Sequence, residues 1–167
     1  MSGAHEAPRI RSVREGDADA IWRIVAPIIR DGETYALERD MSRAEALAYW
    51  CGDDRRTFVA ESEGAILGTY YLKQNQPGGG SHVANCGYAV AAEARGRGIA
   101  RVMAEHSLNE ARDCGFKAMQ FNFVVATNTG AIGLWHSLGF TTVGKLNGAF
   151  AHPREGFVDA LVMWRNL

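Results

Sequence analysis

Apolar and polar positions alternate in two periods along the chain and divide it into short segments. RIRSV, 9–13, reads as a first strand. Ile21, Ile24, Val25, Ile28 and Ile29 recur at helical spacing, with Asp17 as the expected N-cap and Pro27 expected to kink or shorten the helix. DGETYALERD, 31–40, is a polar connection. Ser42 and Glu45 form a capping box that opens a second helix, which Gly52 ends. RTFVAES, 56–62, and AILGTYYLKQ, 65–74, read as a hairpin turning at Glu63-Gly64. HVANCGYAV, 82–90, is another strand. A helix over 97–113 stops at Gly115, KAMQFNFVV, 117–125, is a strand, and a short helix over 126–140 stops at Gly139. TTVGKL and GFVDALVMW close the chain as strands. The order βααβββαβαββ predicts an α/β (α+β) fold with a mixed sheet of six or seven strands. QPGGGS, 76–81, lies between two strands and reads as a loop, so 1–167 is expected to be one domain.

Composition narrows the function classes. At 167 residues and 47% hydrophobic, the chain can bury a full core. Its 18 basic and 19 acidic residues nearly cancel, and no basic stripe appears, which argues against a nucleic-acid-coating protein. MSGAHEAPRI carries no apolar signal core, and no run approaches the ~18 apolar residues of a membrane helix. Cys51, Cys86 and Cys114 lack CxxC spacing, so neither a disulfide framework nor a metal site is expected, and a reducing cytoplasm fits. Cys86 and Cys114 read as core residues.

The densest local signal is EARGRGIARVMAEH, 93–106, where Arg95, Gly96, Arg97 and Gly98 lead into a helix. A helix start offers unpaired N–H groups and partial positive charge. Glycines allow close backbone approach, and arginines add charge-assisted bonds to phosphate. The stretch therefore suits a pyrophosphate, although it is neither a Walker loop nor GxGxxG. The alternative is a tight strand-to-helix turn with solvated arginines.

Arg95-x-x-Gly98-x-Ala100 resembles the Q/R-x-x-G-x-G/A acyl-CoA motif of the GNAT N-acetyltransferases. Asn128, Ala131, Leu134, Trp135, Gly139 and Phe140 stand in a block similar to that family's N-x-x-A-x-x-L-Y-x-x-x-G-F. Asp159 in a late strand also fits, and the resemblance spans essentially the whole chain. It implies a mostly antiparallel sheet splayed between its fourth and fifth strands and flanked by about four helices. It further implies acetyl-CoA as co-substrate, with Arg95, Gly96, Arg97, Gly98, Ile99 and Ala100 around the pyrophosphate. Tyr88, Ala89 and Val90 would meet the pantetheine and thioester, and Asn128, Ala131 and Trp135 would complete the cofactor wall. The amine would attack the thioester directly, without a metal.

Two departures from the family pattern bear on the chemistry. Trp135 stands where the family's tyrosine often protonates the thiolate. Indole is no general acid near neutral pH, so Trp135 reads as a packing residue, and neither Tyr88 nor His136 is assignable as its substitute. The family's strand glutamate is also missing from 82–90. His82 is one candidate base, Glu33 and Glu38 in the polar connection are others, and backbone-held water is a fourth. Alternation places His82, Ala84, Cys86 and Tyr88 on one face of the strand, and Val83, Asn85, Gly87 and Ala89 on the other. Asn85 and Asn122 are unusual in strand interiors and are candidates for holding the acceptor, or for capping broken ladder bonds.

HVANCGYAV, QFNFVVATNTGAIGLWHSLGF and AHPREGFVDALVM further resemble the yeast acetyltransferases that detoxify proline analogues such as azetidine-2-carboxylate. That likeness implies a small amino or imino acid as acceptor and a homodimer, with no nucleic-acid or membrane partner. Two other readings stand beside it: another amine acceptor (a protein N-terminus, aminoglycoside or polyamine), and a non-catalytic acyl-CoA-binding module.

Overall fold

A computed structural model describes residues 7–167; the N-terminal residues that lack an apolar signal core lie mostly outside them. The strands are β1 (Arg9–Ser12), β2 (Arg55–Ser62), β3 (Ala65–Gln74), β4 (Val83–Val90), β5 (Ala118–Val125), β6 (Thr141–His152) and β7 (Gly156–Asn166). The helices are α1 (Ala18–Asp31), α2 (Arg43–Trp50), α3 (Ile99–Asp113) and α4 (Thr129–Ser137). One seven-stranded sheet runs β1-β2-β3-β4-β5-β7-β6, antiparallel throughout except for β4 beside β5. The mixed sheet and element order agree with the sequence reading.

Helices α1 and α3 bury the stripes their spacing marks out. Ile21, Ile24, Val25 and Ile29 face the core from α1, and Ile99, Met103, Ala104, Leu108 and Ala111 from α3. The α2 start carries both bonds of the capping box: Glu45 N–H donates to Ser42 Oγ at 3.2 Å, and Ser42 N–H to Glu45 Oε2 at 2.7 Å. Trp50, fully buried, donates its indole N–H to Thr69 Oγ1 at 3.0 Å, so its one polar atom is satisfied. On the α3 face an aromatic row runs across the sheet: Phe58 on Tyr70, Tyr70 on Tyr88, Tyr88 against Trp135, and Trp135 against Phe121.

Several local expectations are corrected. Asp17 precedes α1 but makes no side-chain cap. Its carboxylate takes two bonds from Arg11, at 2.7 and 3.0 Å, and one from Arg14 N–H at 2.7 Å, tying β1 to the helix start. Pro27 does not shorten α1, because one missing N–H is outweighed by the buried stripe on either side of it. Cys114 is exposed, lying beyond the buried stripe of α3, while Cys86 is buried as expected. Strand β6 continues well past residue 146, through Asn147-Gly148. A bulge between Leu146 and Phe150 absorbs these residues, Gly148 takes φ +60°, and its N–H donates to Asp159 Oδ1 at 2.8 Å.

Candidate active site

The site begins where β4 and β5 part. They pair only at Val83↔Ala118 and Ala84↔Met119. The ladder from β3 to β4 is bounded by Val83 O, which accepts from Asn75, and Ala91 N–H, which donates to Leu67. Odd-numbered β4 residues therefore bond to β3, and the backbone groups of Cys86, Tyr88 and Val90 face the gap. On the other side, β5 is drawn away by its pairing with β7 and by a bulge between Phe121 and Val124. Asn85 Nδ2 donates to Gln120 O at 2.9 Å just past the last paired residues and stitches the two strands where the ladder fails.

A cavity of about 410 Å³ passes through this gap from one face of the sheet to the other. Ala100, Ala131, Leu134 and Trp135 wall it on the α3–α4 side; Leu37, Tyr49, Tyr71 and Asn85 wall it on the α1–α2 side. Among the described residues, no Asp, Glu, Lys, Arg or His belongs to its lining. Two reactants can thus approach one point from opposite faces without competing for space.

Beside the cavity lies the 95–98 turn, the glycine-arginine stretch. Gly96 and Gly98 take φ +75° and +77°, and an added Cβ on either would meet nothing within 4 Å. Open space therefore lies in front of this backbone. The first bond within α3 runs from Val102 N–H to Gly98 O at 3.1 Å, so the N–H groups of Ile99, Ala100 and Arg101 project from the helix start without a helical partner. The positive φ at Gly98 moves the helix start from residue 97 to Ile99. Arg95 and Arg97 are exposed, and Arg95 also lines an adjoining cavity of about 530 Å³ together with Tyr88, Ala89, Val90 and Asn128. This geometry fits a diphosphate at the turn and an extended arm along the open edge of β4.

The other sequence candidates divide. Asn85 lines the main cavity and, among the described residues, its Oδ1 has no hydrogen-bond partner. Asn122 also lines it, but both ends of its amide are engaged: Oδ1 accepts from Gln120 at 2.9 Å, and Nδ2 donates to Asn75 Oδ1 at 2.6 Å. Asn128 caps α4, its Oδ1 accepting from Ala131 N–H at 3.3 Å. Trp135 is buried at the wall, packed on Tyr88 and Phe121. The Tyr88 hydroxyl bonds Ser107 Oγ at 2.7 Å under α3, and burial holds it protonated far above the usual phenol range. His136 is exposed and its Nδ1 meets Phe140 O at 3.1 Å. Of the candidate bases, His82 is exposed ahead of β4 and Glu38 is exposed; neither lines either of these two cavities. Glu33 lines the adjoining cavity, where Arg154 pairs with it at 2.6 Å. Cys86 faces the main cavity, and burial pushes its thiol up to about 12.

Three tyrosines of this wall escaped the sequence reading. The Tyr35 hydroxyl accepts from Tyr88 N–H at 3.0 Å and donates to Tyr88 O, sitting on the cleft-facing groups of that residue. Tyr71 lies over β4, where a Cβ on Gly87 would fall 2.6 Å from its ring. Its hydroxyl is 3.3 Å from that of Tyr49. Tyr35 in the polar connection and the Tyr70-Tyr71 pair in a strand were the available signals.

Residues 22–140 match the acetyltransferase (GNAT) family. Among curated relatives, the N-acetyltransferase aca1 of Schizosaccharomyces pombe is 34% identical over 151 residues, covering 80% of this chain and 72% of that protein. Among solved structures, a GCN5-related N-acetyltransferase from Kribbella flavida superposes with a TM-score of 0.92 at 41% identity, covering 96% and 98% of the two chains. A phosphinothricin acetyltransferase of the GNAT superfamily from Sinorhizobium meliloti, in complex with acetyl-CoA, shares the fold with a TM-score of 0.84 at 22% identity, covering 97% and 89%.

Proposed function

The chain belongs to the acetyltransferase (GNAT) family as an acetyl-CoA-dependent N-acetyltransferase, and on that footing we propose that its acceptor is a small amino or imino acid of the proline-analogue kind. The observation that carries the acceptor class is the cavity wall. Its α1–α2 side offers amide and phenol groups and, among the described residues, no ionised side chain. Polyamines and aminoglycosides need carboxylates to offset their charge, whereas a zwitterion brings its own counter-charge and needs only oriented hydrogen bonds.

Acetyl-CoA supplies the activated acetyl group. The N–H groups at the start of α3 and the open backbone at Gly96 and Gly98 hold its diphosphate. The edge of β4, open at Cys86 and Val90 on either side of the Tyr35 bonds to Tyr88, takes the extended arm as a further strand would, with the N–H of Val90 or its neighbour facing the thioester oxygen. On the opposite face, Asn85 Oδ1 accepts from the acceptor amine and aims its lone pair at the carbonyl carbon. The zwitterion first gives one ammonium proton to water held by the cleft-facing backbone; the freed amine then forms the C–N bond as the C–S bond breaks to release the CoA thiolate, and the remaining N–H proton passes to the same water or to that thiolate. A thiol of pKa ~8.5 leaves as thiolate with little help, so Trp135 serves by packing. The Cys86 thiol stays protonated at neutral pH, which supports direct transfer over an acyl-cysteine route.

A homodimer belongs to the same reading. Strand β6 is a free sheet edge, and Val143, Leu146 and Phe157 on the β6–β7 hairpin are exposed. The acceptor class is tested by CoA release with azetidine-2-carboxylate, proline, spermidine and a peptide with a free N-terminus. Turnover of the imino acids supports it; turnover confined to spermidine or the peptide overturns it.

A further inference from the structure

We infer that the hydroxyls of Tyr49 and Tyr71, backed by Arg55, form the subsite that holds the acceptor's carboxylate. This rests on the amino- or imino-acid reading above and gives that reading its second anchor, opposite the amine held by Asn85.

Both phenols line the α1–α2 side of the through-sheet cavity, with hydroxyls 3.3 Å apart in a long mutual hydrogen bond that a carboxylate, accepting both protons, would replace. Tyr71 is held by Gly87: a Cβ there would lie 2.6 Å from the ring and 2.7 Å from its oxygen, so the ring rests against bare backbone beside Asn85. Burial raises the Tyr71 phenol far above its usual range, which keeps it a donor at any working pH. A hydroxyl that donates suits a carboxylate and does little for an ammonium group.

Charge completes the site. The Arg55 guanidinium stacks on both rings, 4.8 Å from the Tyr71 centroid and 5.0 Å from the Tyr49 centroid. Its side chain is 8% exposed. Asp54 takes its Nε and Nη2, at 2.7 and 3.0 Å. Its Nη1 is buried without a hydrogen-bond partner among the described residues. A buried cation with one donor unspent, lying against two phenol rings, makes their hydroxyls better donors and favours a negative charge in front of them. Asp54 is largely exposed, so water screens its opposing charge more than that of Arg55.

The test compares azetidine-2-carboxylate with azetidine, the same ring amine without the carboxylate, in the wild type, Tyr49→Phe, Tyr71→Phe and the double variant. Phenylalanine keeps each ring and its packing, and Tyr49 is only half-buried, so at least that variant folds. The measured quantity is the ratio of kcat/KM for the two acceptors. The wild type is expected to favour the imino acid, and each substitution to cut that preference about 10- to 100-fold, the worth of a hydrogen bond to a charged group. A wild-type preference that survives both substitutions overturns the carboxylate subsite and leaves the acceptor class standing. A wild type without preference, or one that acetylates neither compound, overturns both.

Discussion

At the scale of single residues, Asn85 and Asn122 looked equivalent in the sequence, and their surroundings separate them. Asn85 spends its Nδ2 on Gln120 O and leaves Oδ1 for the cavity; Asn122 spends both ends on Gln120 and Asn75. Asn85→Ala is therefore expected to lower kcat/KM for the imino acid about 10- to 100-fold, with part of the loss in kcat because the amine loses its aim. Asn122→Ala should cost severalfold at most, and acetyl-CoA affinity should hold in both. Steady-state kinetics with each substrate varied checks this; equal large losses would place Asn122 on the acceptor as well. Asp17 shows how far a local rule reaches. Its position before a helix suggested a cap, but the partner that matters, Arg11, comes from a strand, and tertiary pairing replaced the local bond. Asp17→Ala should cost about 3 kcal/mol, since both partners are about nine-tenths buried, and should lower Tm by ~6–12 °C. Arg11 holds the Asp17 carboxyl below the usual carboxylate range, so the folded state binds its proton more weakly than the unfolded chain does. Its stabilisation is whole above the unfolded value of ~3.9 and is lost as pH falls further. The Tm gap between wild type and variant should accordingly close in acid; a gap independent of pH contradicts the pairing.

At the scale of elements, the proposed cofactor site is the turn before α3 and the edge of β4. Two glycines in four residues were visible in the sequence, and the structure gives each a left-handed conformation that side chains resist. Gly98→Val has two effects: strain at φ +77°, and a branched side chain in the open space where phosphate would approach. Acetyl-CoA affinity by calorimetry should fall at least tenfold, with the fold intact by circular dichroism. Undiminished affinity in a folded variant removes the turn from the phosphate site. Arg97→Ala, one exposed cation, should weaken binding by no more than ~1.5–3 kcal/mol.

At the scale of the whole molecule, the order of strands and helices was legible because each period of the apolar pattern is long enough to mark a face, as in α1 and α3. The limits lay where one residue in a strand does two things. The strand TTVGKL ends at Leu146 in the sequence reading, yet β6 runs on through a bulge at Asn147-Gly148, because its partner Asp159 is distant in sequence. The glycine turn and the β4 strand were legible as elements, and the structure sets open backbone at both. The tyrosine wall was not, since Tyr35, Tyr49 and Tyr71 come from a loop, a helix and a strand that only the fold assembles. That assembly walls the splay from both faces of the sheet, and the central claim is that acetyl-CoA and a small imino acid meet within it. Initial velocities measured over a grid of acetyl-CoA and azetidine-2-carboxylate concentrations test this most directly. Intersecting double-reciprocal lines, with N-acetylated product formed one for one with free CoA, are the predicted result. Parallel lines, which signal an acyl-enzyme, or the absence of acetylated product, would contradict it.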